Sequence, residues 1–155
     1  MTRCLPVGGQ FTPRQKKVYN AVLSVMKEAS QLLKPGVFLN EYHKEVGRIM
    51  EAHLLNLSLI KREDIKNQNP KNPVYKQYFM HGTSHFLGLD VHDVGLWEQP
   101  LKEGMVFTCE PGIYIKEEGF GVRLENDILV TKDAPEDLMK SIPIEADEIE
   151  TLMHS

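Results

Sequence analysis

Between Thr12 and Lys34 the apolar positions Val18, Val22, Val25, Ala29 and Leu32 recur at alternating intervals of four and three residues. That interval keeps one face of an α-helix apolar and predicts a single buried stripe. Thr12 suits the N-cap, Pro13 the first turn, and the tripeptide KPG at 34–36 the stop. A second helix is predicted from Asn40, another capping residue, because Tyr42, Val46, Ile49, Met50, Leu54 and Leu57 keep the helical period. His43 and His53 fall inside it with no neighbour at ligand spacing, so both are assigned packing or surface roles.

The stretch KREDIKNQNPKNPVYKQ, 61–77, is rich in charge, asparagine and proline and reads as an exposed connection. Beyond it the period changes. SHFLGLDVH, MVFTCEPGIYI and GVRLENDILVT are rich in β-branched and aromatic residues and are separated by glycine, proline and charge, which predicts strands. The acidic tail from Ala134 is expected to end in a short helix over IPIEADEIETLM. Two helices followed by a mostly antiparallel sheet make an α+β domain with helices on one face. No repeat at a fixed period and no low-complexity tract interrupts it, so residues 1–155 are expected to form one domain.

Composition narrows the partners. The chain carries 18 basic and 22 acidic residues, a net charge of −4, and no basic run that could track a phosphate backbone, so nucleic acid is not expected as a partner. No stretch approaches the roughly 18 consecutive apolar residues of a membrane span, so no membrane partner is expected either. Cys4 and Cys109 are too few and too far apart for a disulfide framework or a CxxC site, which suits a reducing compartment and makes a cytoplasmic location the expectation.

The candidate chemistry lies in the second half. HGTSHFLGLDVHDVG, 81–95, holds His81, His85 and His92 together with Asp90 and Asp93. His81 and His85 are four apart, the spacing of a zinc pair on a helix. Gly82, Thr83, Ser84 and Gly88 disfavour that helix, so a histidine-containing turn before a strand is the competing reading. Glu110 stands among strand residues before a Pro-Gly turn, and Glu125 stands in a second apolar strand. A carboxylate there needs a cation, which for one of them could be Arg123. Two such glutamates and a histidine turn favour a shared metal ion over two separate salt bridges. One histidine with carboxylates is a hard, oxygen-rich donor set suited to Mn²⁺, Co²⁺ or Zn²⁺. A glutamate bridging two ions would indicate a two-metal hydrolase.

In this order and spacing, HGTSHFLGLDVHDVG, GMVFTCEPGIYI and GFGVRLENDILVT resemble the C-terminal half of the catalytic domain of aminopeptidase P, the Xaa-Pro aminopeptidases of the pita-bread metallopeptidase family. The similarity runs from about residue 1 to about residue 150. The resemblance implies that His85, Glu110 and Glu125 are metal ligands, with Glu125 bridging two ions, most readily Mn²⁺. It gives Glu110 a further role as general acid and base, His81 and His92 places in the substrate pocket, and Arg123 the role of orienting a carboxylate ligand. Asp90 and Asp93 match the motif without a ligand role and are read as a hydrogen-bonded loop. The implied reaction removes the N-terminal residue of peptides with proline in second position.

One departure accompanies the resemblance. The family's site takes two further aspartates from upstream strands, the second in a segment of the form SD(I/M)TR, and here the sequence opens MTRCLPVGG. Three ligands of five are therefore expected on this chain, as a partial catalytic domain truncated on its N-terminal side and with little or no peptidase activity alone. An exposed sheet edge and apolar face are expected to be covered by self-association or by a separate N-terminal half. The alternatives are a pita-bread module that binds peptides or proteins without catalysis, or a prolidase-type dipeptidase.

Overall fold

Thr12 starts the first helix as its sequence predicts: its hydroxyl accepts from the Gln15 amide while the Gln15 side chain accepts from the Thr12 amide, a reciprocal cap. The structure is a computed structural model that describes residues 1–154. Helix α1 (Pro13–Ser30) buries Val18, Val22, Val25 and Ala29 completely. The chain then leaves the helix at Ser30, four residues before the KPG stop, and Leu33 rather than Leu32 reaches the core.

Helix α2 (Leu39–Asn56) packs beside α1 and buries Tyr42, Val46, Met50 and Leu54. Its N-cap is Phe38, not Asn40, which lies inside the first turn. Leu39 is buried, and drawing it into the helix moves the boundary ahead of the better capping residue. His53 joins the two helices on the surface, its Nε2 3.0 Å from Glu28 Oε1. The predicted connection contains only the short helix α3 (Arg62–Lys66) and one 3-10 turn over Val74–Gln77.

The sheet grows from one long hairpin that changes direction midway. Strands β1 (Val106–Cys109) and β2 (Gly112–Ile115) form one arm; β3 (Phe120–Arg123) and β4 (Asn126–Leu129) form the other, and Gly119 supplies the left-handed residue of the turn with φ 69°. β1 pairs with β4 and β2 with β3, both antiparallel. β4 also pairs with the short β5 (Glu136–Asp137), so three strands lie in one sheet and two in another. Each apolar run expected to be a single strand is thus split, at Glu110-Pro111 and at Leu124-Glu125. Pro111 lacks a backbone donor, and across the split only the Leu124 amide to the Pro111 carbonyl, 3.3 Å, is made. Helix α4 (Ala146–Met153) closes the chain against α1, as the tail predicts.

The strand expected in SHFLGLDVH does not form beyond one bridge, Phe86 to Phe107. The chain folds back instead: the Asp93 amide donates to the Phe86 carbonyl at 3.1 Å and the Gly88 amide to the Asp90 carbonyl at 3.3 Å. The backing is tight, since a Cβ on Gly95 would lie 2.3 Å from the Phe86 ring. Period-two alternation is satisfied there by a loop because no strand pairs with residues 87–92.

Candidate metal centre

The register of the hairpin is unchanged across its split. Cys109 opposes Asn126 on one side and Gly112 opposes Arg123 on the other, so Glu110 and Glu125 occupy directly opposed positions where the ladder opens. Like charges directly across a strand pair repel. They are brought together here by neighbours on both outer edges. Glu125 is bridged to Thr2 by two backbone hydrogen bonds of 3.1 Å, and the Thr2 hydroxyl donates to its Oε2. Arg3 holds that bridge in place, donating to the carbonyls of Thr2, Glu125 and Pro143 and to Asn126 Oδ1. The amino nitrogen of Met1 lies 3.6 Å from Glu125 Oε2.

On the other edge the segment 83–86 runs alongside β1. The Glu110 amide donates to the Thr83 carbonyl at 2.7 Å, the Thr108 amide to the His85 carbonyl at 3.2 Å, and the His85 amide to Thr108 Oγ1 at 3.1 Å. Thr108 Oγ1 also reaches Glu110 Oε1 at 3.4 Å. These bonds set His85 beside Glu110, with Nε2 3.1 Å from Oε1.

The donor set fits a divalent cation. The ligand atoms of His85, Glu110 and Glu125 all lie within 4.8 Å of one another, whereas bonds of about 2.0–2.2 Å to a common ion would draw them somewhat closer. His85 Nδ1 donates to the Phe86 carbonyl at 2.8 Å; a carbonyl only accepts, so Nδ1 carries the hydrogen and Nε2 is the atom turned on the carboxylate. This is the orientation that an outer hydrogen bond gives to a metal-binding imidazole. Two glutamates and an imidazole nitrogen at these distances create a need for positive charge among them that a shared metal ion would meet. The half-buried environment of all three strengthens that need.

The cluster opens into a cleft of about 650 Å³ lined by His43, His81, Gly82, Ser84, His85, His92, Asp93, Trp97, Glu110 and Arg123. His92 packs edge-on against His85, ring centres 4.3 Å apart. His81 is held by the Gly82 carbonyl at Nδ1 and the Tyr114 hydroxyl at Nε2, both 2.8 Å, and between the rings of Phe79 and Tyr114. Arg123 makes no direct ion pair with either glutamate among the described residues. Its Nη2 lies 3.4 Å from Thr2 Oγ1, so it reaches Glu125 through Thr2. Burial raises the Tyr114 hydroxyl above its ordinary range, with Arg123 opposing the rise. Asp93 turns back on its own loop, accepting from the Val94 amide at 2.7 Å, while the Asp90 carbonyl accepts from Gly88.

Two residues of this site were not legible as such. His43 belongs to the cleft wall, where its Nδ1 accepts from the Thr83 amide at 3.3 Å and burial lowers its pKa. Thr2, one residue from the start of the sequence, touches the Glu125 carboxylate. Neither position carries a local pattern, since each meets its partner only through the tertiary fold.

Two glutamates opposed across a split hairpin with a histidine beside them lie in an α+β chain that belongs to metallopeptidase family M24, whose pattern it matches over residues 1–132. It is 40% identical over 167 residues to the Xaa-Pro aminopeptidase of Escherichia coli K12, covering 99% of this chain and 37% of that protein. Human Xaa-Pro aminopeptidase 3 is 37% identical over 163 residues, covering 98% of this chain and 32% of the other. Zn-substituted E. coli aminopeptidase P in complex with product superposes with a TM-score of 0.87 at 38% identity, covering 98% of this chain and 37% of that one. Aminopeptidase PepP of Pseudomonas aeruginosa gives the same TM-score at 37% identity, with the same coverage. The architecture is therefore the pita-bread fold, and this chain spans about a third of the length of these relatives. Membership of the family implies a divalent metal. No helix among the described residues is long and apolar enough to cross a membrane.

Proposed function

We propose that this chain is the C-terminal catalytic part of a metal-dependent Xaa-Pro aminopeptidase, cleaving the N-terminal residue from peptides with proline in second position. The observation that carries the reading is the convergence of His85 Nε2 with the carboxylates of Glu110 and Glu125 at the split of the hairpin. These three residues would hold the metal. Mn²⁺ is the proposed ion, and Co²⁺ and Zn²⁺ suit the same donors. Bound there, a divalent ion would polarise the scissile carbonyl and lower the pKa of water.

The side chains divide the remaining work. Glu110, which opens onto the cleft, takes a proton from the attacking water and returns it to the proline nitrogen as the carbon–nitrogen bond breaks. His81 and His92 line the same cleft and form part of the wall that holds the peptide. Arg123 and Thr2 orient the Glu125 carboxylate. The X–Pro bond is a tertiary amide with no N–H, so recognition must come from the shape of a site that accepts the ring.

The proposed set supplies three donors, fewer than two hard cations require, so this polypeptide on its own is expected to cleave such peptides slowly or not at all. The exposed side chains of Leu89, Val91, Val94, Leu96 and Trp97 beside the cleft support coverage by a further polypeptide, either a separate N-terminal half or a second copy. The reading makes the chain a cytoplasmic, single partial catalytic domain over 1–155.

Calorimetric titration of Zn²⁺ and Mn²⁺ into the chain tests the site. His85→Ala and Glu110→Ala should each weaken binding by more than the roughly 10–100-fold typical of an outer hydrogen-bond partner. Unchanged affinity in both variants refutes the assignment.

A further inference from the structure

Beneath the donor cluster lies a buried hydrogen-bond chain. Along 84–85 and 109–110 successive side chains point to opposite faces, as in strands. His85 and Glu110 turn to the cleft, while Ser84 and Cys109, one residue earlier in each case, are buried, Ser84 also bordering the cleft, and their side chains meet the Tyr42 hydroxyl. The Tyr42 hydroxyl, on helix α2 and also buried, sits between the two inward residues. It is 2.9 Å from Ser84 Oγ and 3.8 Å from Cys109 Sγ.

The direction of the chain follows from its far end. Cys109 Sγ lies 3.6 Å from the Met26 carbonyl of α1, which can only accept. The thiol therefore donates to Met26, Tyr42 donates to the sulfur, and Ser84 donates to Tyr42. Each hydrogen has one acceptor, and both helices are tied to the undersides of the two segments that carry donors. Next to Tyr42, His43 accepts from the Thr83 amide, so the same turn of α2 also fixes the residue before Ser84.

We propose that Tyr42 is a positioning residue for the metal centre: by joining Ser84 to Cys109 it sets the spacing of His85 and Glu110. The inference rests on the assignment of His85 and Glu110 as ligands. Besides the chain through Tyr42, the 83–86 segment is held to β1 by a few hydrogen bonds at the outer edge and by the packing of Phe86 on Phe107. Tyr42 acts on the same junction from the core side. Because its partners lie 42 and 67 residues away, the link depends on the completed fold. A fully satisfied buried network of this kind fixes one arrangement where an apolar contact would allow several.

The test is Zn²⁺ affinity, measured by competition with a chromophoric chelator, alongside the thermal midpoint of the metal-free chain. Tyr42→Phe keeps the ring and removes the hydroxyl; Ser84→Ala removes the first donor. Each should weaken Zn²⁺ binding about tenfold, the scale of an outer hydrogen-bond partner of a ligand. The double variant leaves fewer unpaired groups and should recover thermal stability relative to Tyr42→Phe without recovering affinity. Tyr19→Phe is the control: that buried tyrosine donates to the Ile144 carbonyl at 2.8 Å, outside the donor cluster, so it should lower the midpoint and leave affinity unchanged.

If affinity recovers with stability in the double variant, Tyr42 is only structural and the proposal falls. It also falls if Tyr42→Phe and Ser84→Ala bind as wild type does while His85→Ala loses binding, an outcome that leaves the ligand assignment standing. Should Tyr42→Phe not fold, Ser84→Ala and Cys109→Val decide by the same criterion. If His85→Ala binds as wild type does, or wild type binds no Zn²⁺, the ligand assignment and this inference fail together.

Discussion

The α1–α2 pair and the 87–99 loop are both rich in apolar residues and dispose of them in opposite ways. On the helices Val18, Val22, Val46, Met50 and Leu54 are wholly buried. On the loop Leu89 and Val94 are over 90% exposed, and Val91, Leu96 and Trp97 are exposed as well. The helical residues repeat with the period of a helix and find a partner face at every turn. On the loop Leu87, Leu89 and Val91 alternate, but no strand pairs with them and the sheet turns away at Glu110-Pro111. Apolar content thus stabilises the first region and does little for the folding of the second, which forms one wall of the cleft. The fold is anchored on one side and the cleft opens on the other.

The comparison predicts unequal responses to the same truncation. Leu54→Ala should cost about 2–5 kcal/mol, because a fully buried leucine leaves a cavity that the helices cannot close. Leu89→Ala should stay within about 0.5 kcal/mol of wild type. Urea denaturation of both variants measures the contrast, and equal losses would break it. A smaller effect sharpens the picture inside the loop. Gly95→Ala should destabilise by about 1–3 kcal/mol because its Cβ would overlap the Phe86 ring, the point at which the loop is pinned to the β1 side. A neutral result there would mean that Phe86 moves freely and that the loop has no fixed anchor.

The same contrast explains what could be read from the chain in advance. Local signals carried the helices: the Thr12–Gln15 cap and the valine spacing of α1 need no tertiary information. They failed at the start of α2, where burial of Leu39 outweighed the capping preference of Asn40. They failed again over 84–92, where alternation implied a strand but strand formation depends on a pairing partner elsewhere in the chain. The ligand atoms of His85, Glu110 and Glu125 lie within 4.8 Å of one another, and each of the three residues could be singled out in the sequence. Their geometry was not legible, because the split that opposes Glu110 to Glu125 follows from the change of sheet at Pro111. The Tyr42, Thr2 and Arg3 contacts were hidden for the same reason: each spans dozens of residues or more.

The smallest effect is expected where the two regions meet, at His43. This residue projects from the stable helix α2 into the cleft wall, where the Thr83 amide donates to its Nδ1. That bond requires an unprotonated Nδ1, and burial lowers the pKa from the ordinary 6.5, so folding favours the neutral ring. The unfolded chain then binds more protons than the folded one between the lowered value and 6.5. His43 therefore contributes full stability above about pH 6.5, and loses it as the pH falls through the lowered folded value. His43→Asn keeps an acceptor for Thr83 but cannot titrate. Relative to that variant, wild type should lose stability between pH 7.5 and pH 5, read by urea denaturation at the two pH values. A stability difference independent of pH would show that His43 is solvated in the folded chain, and that the junction of helix and cleft is looser than its contacts imply.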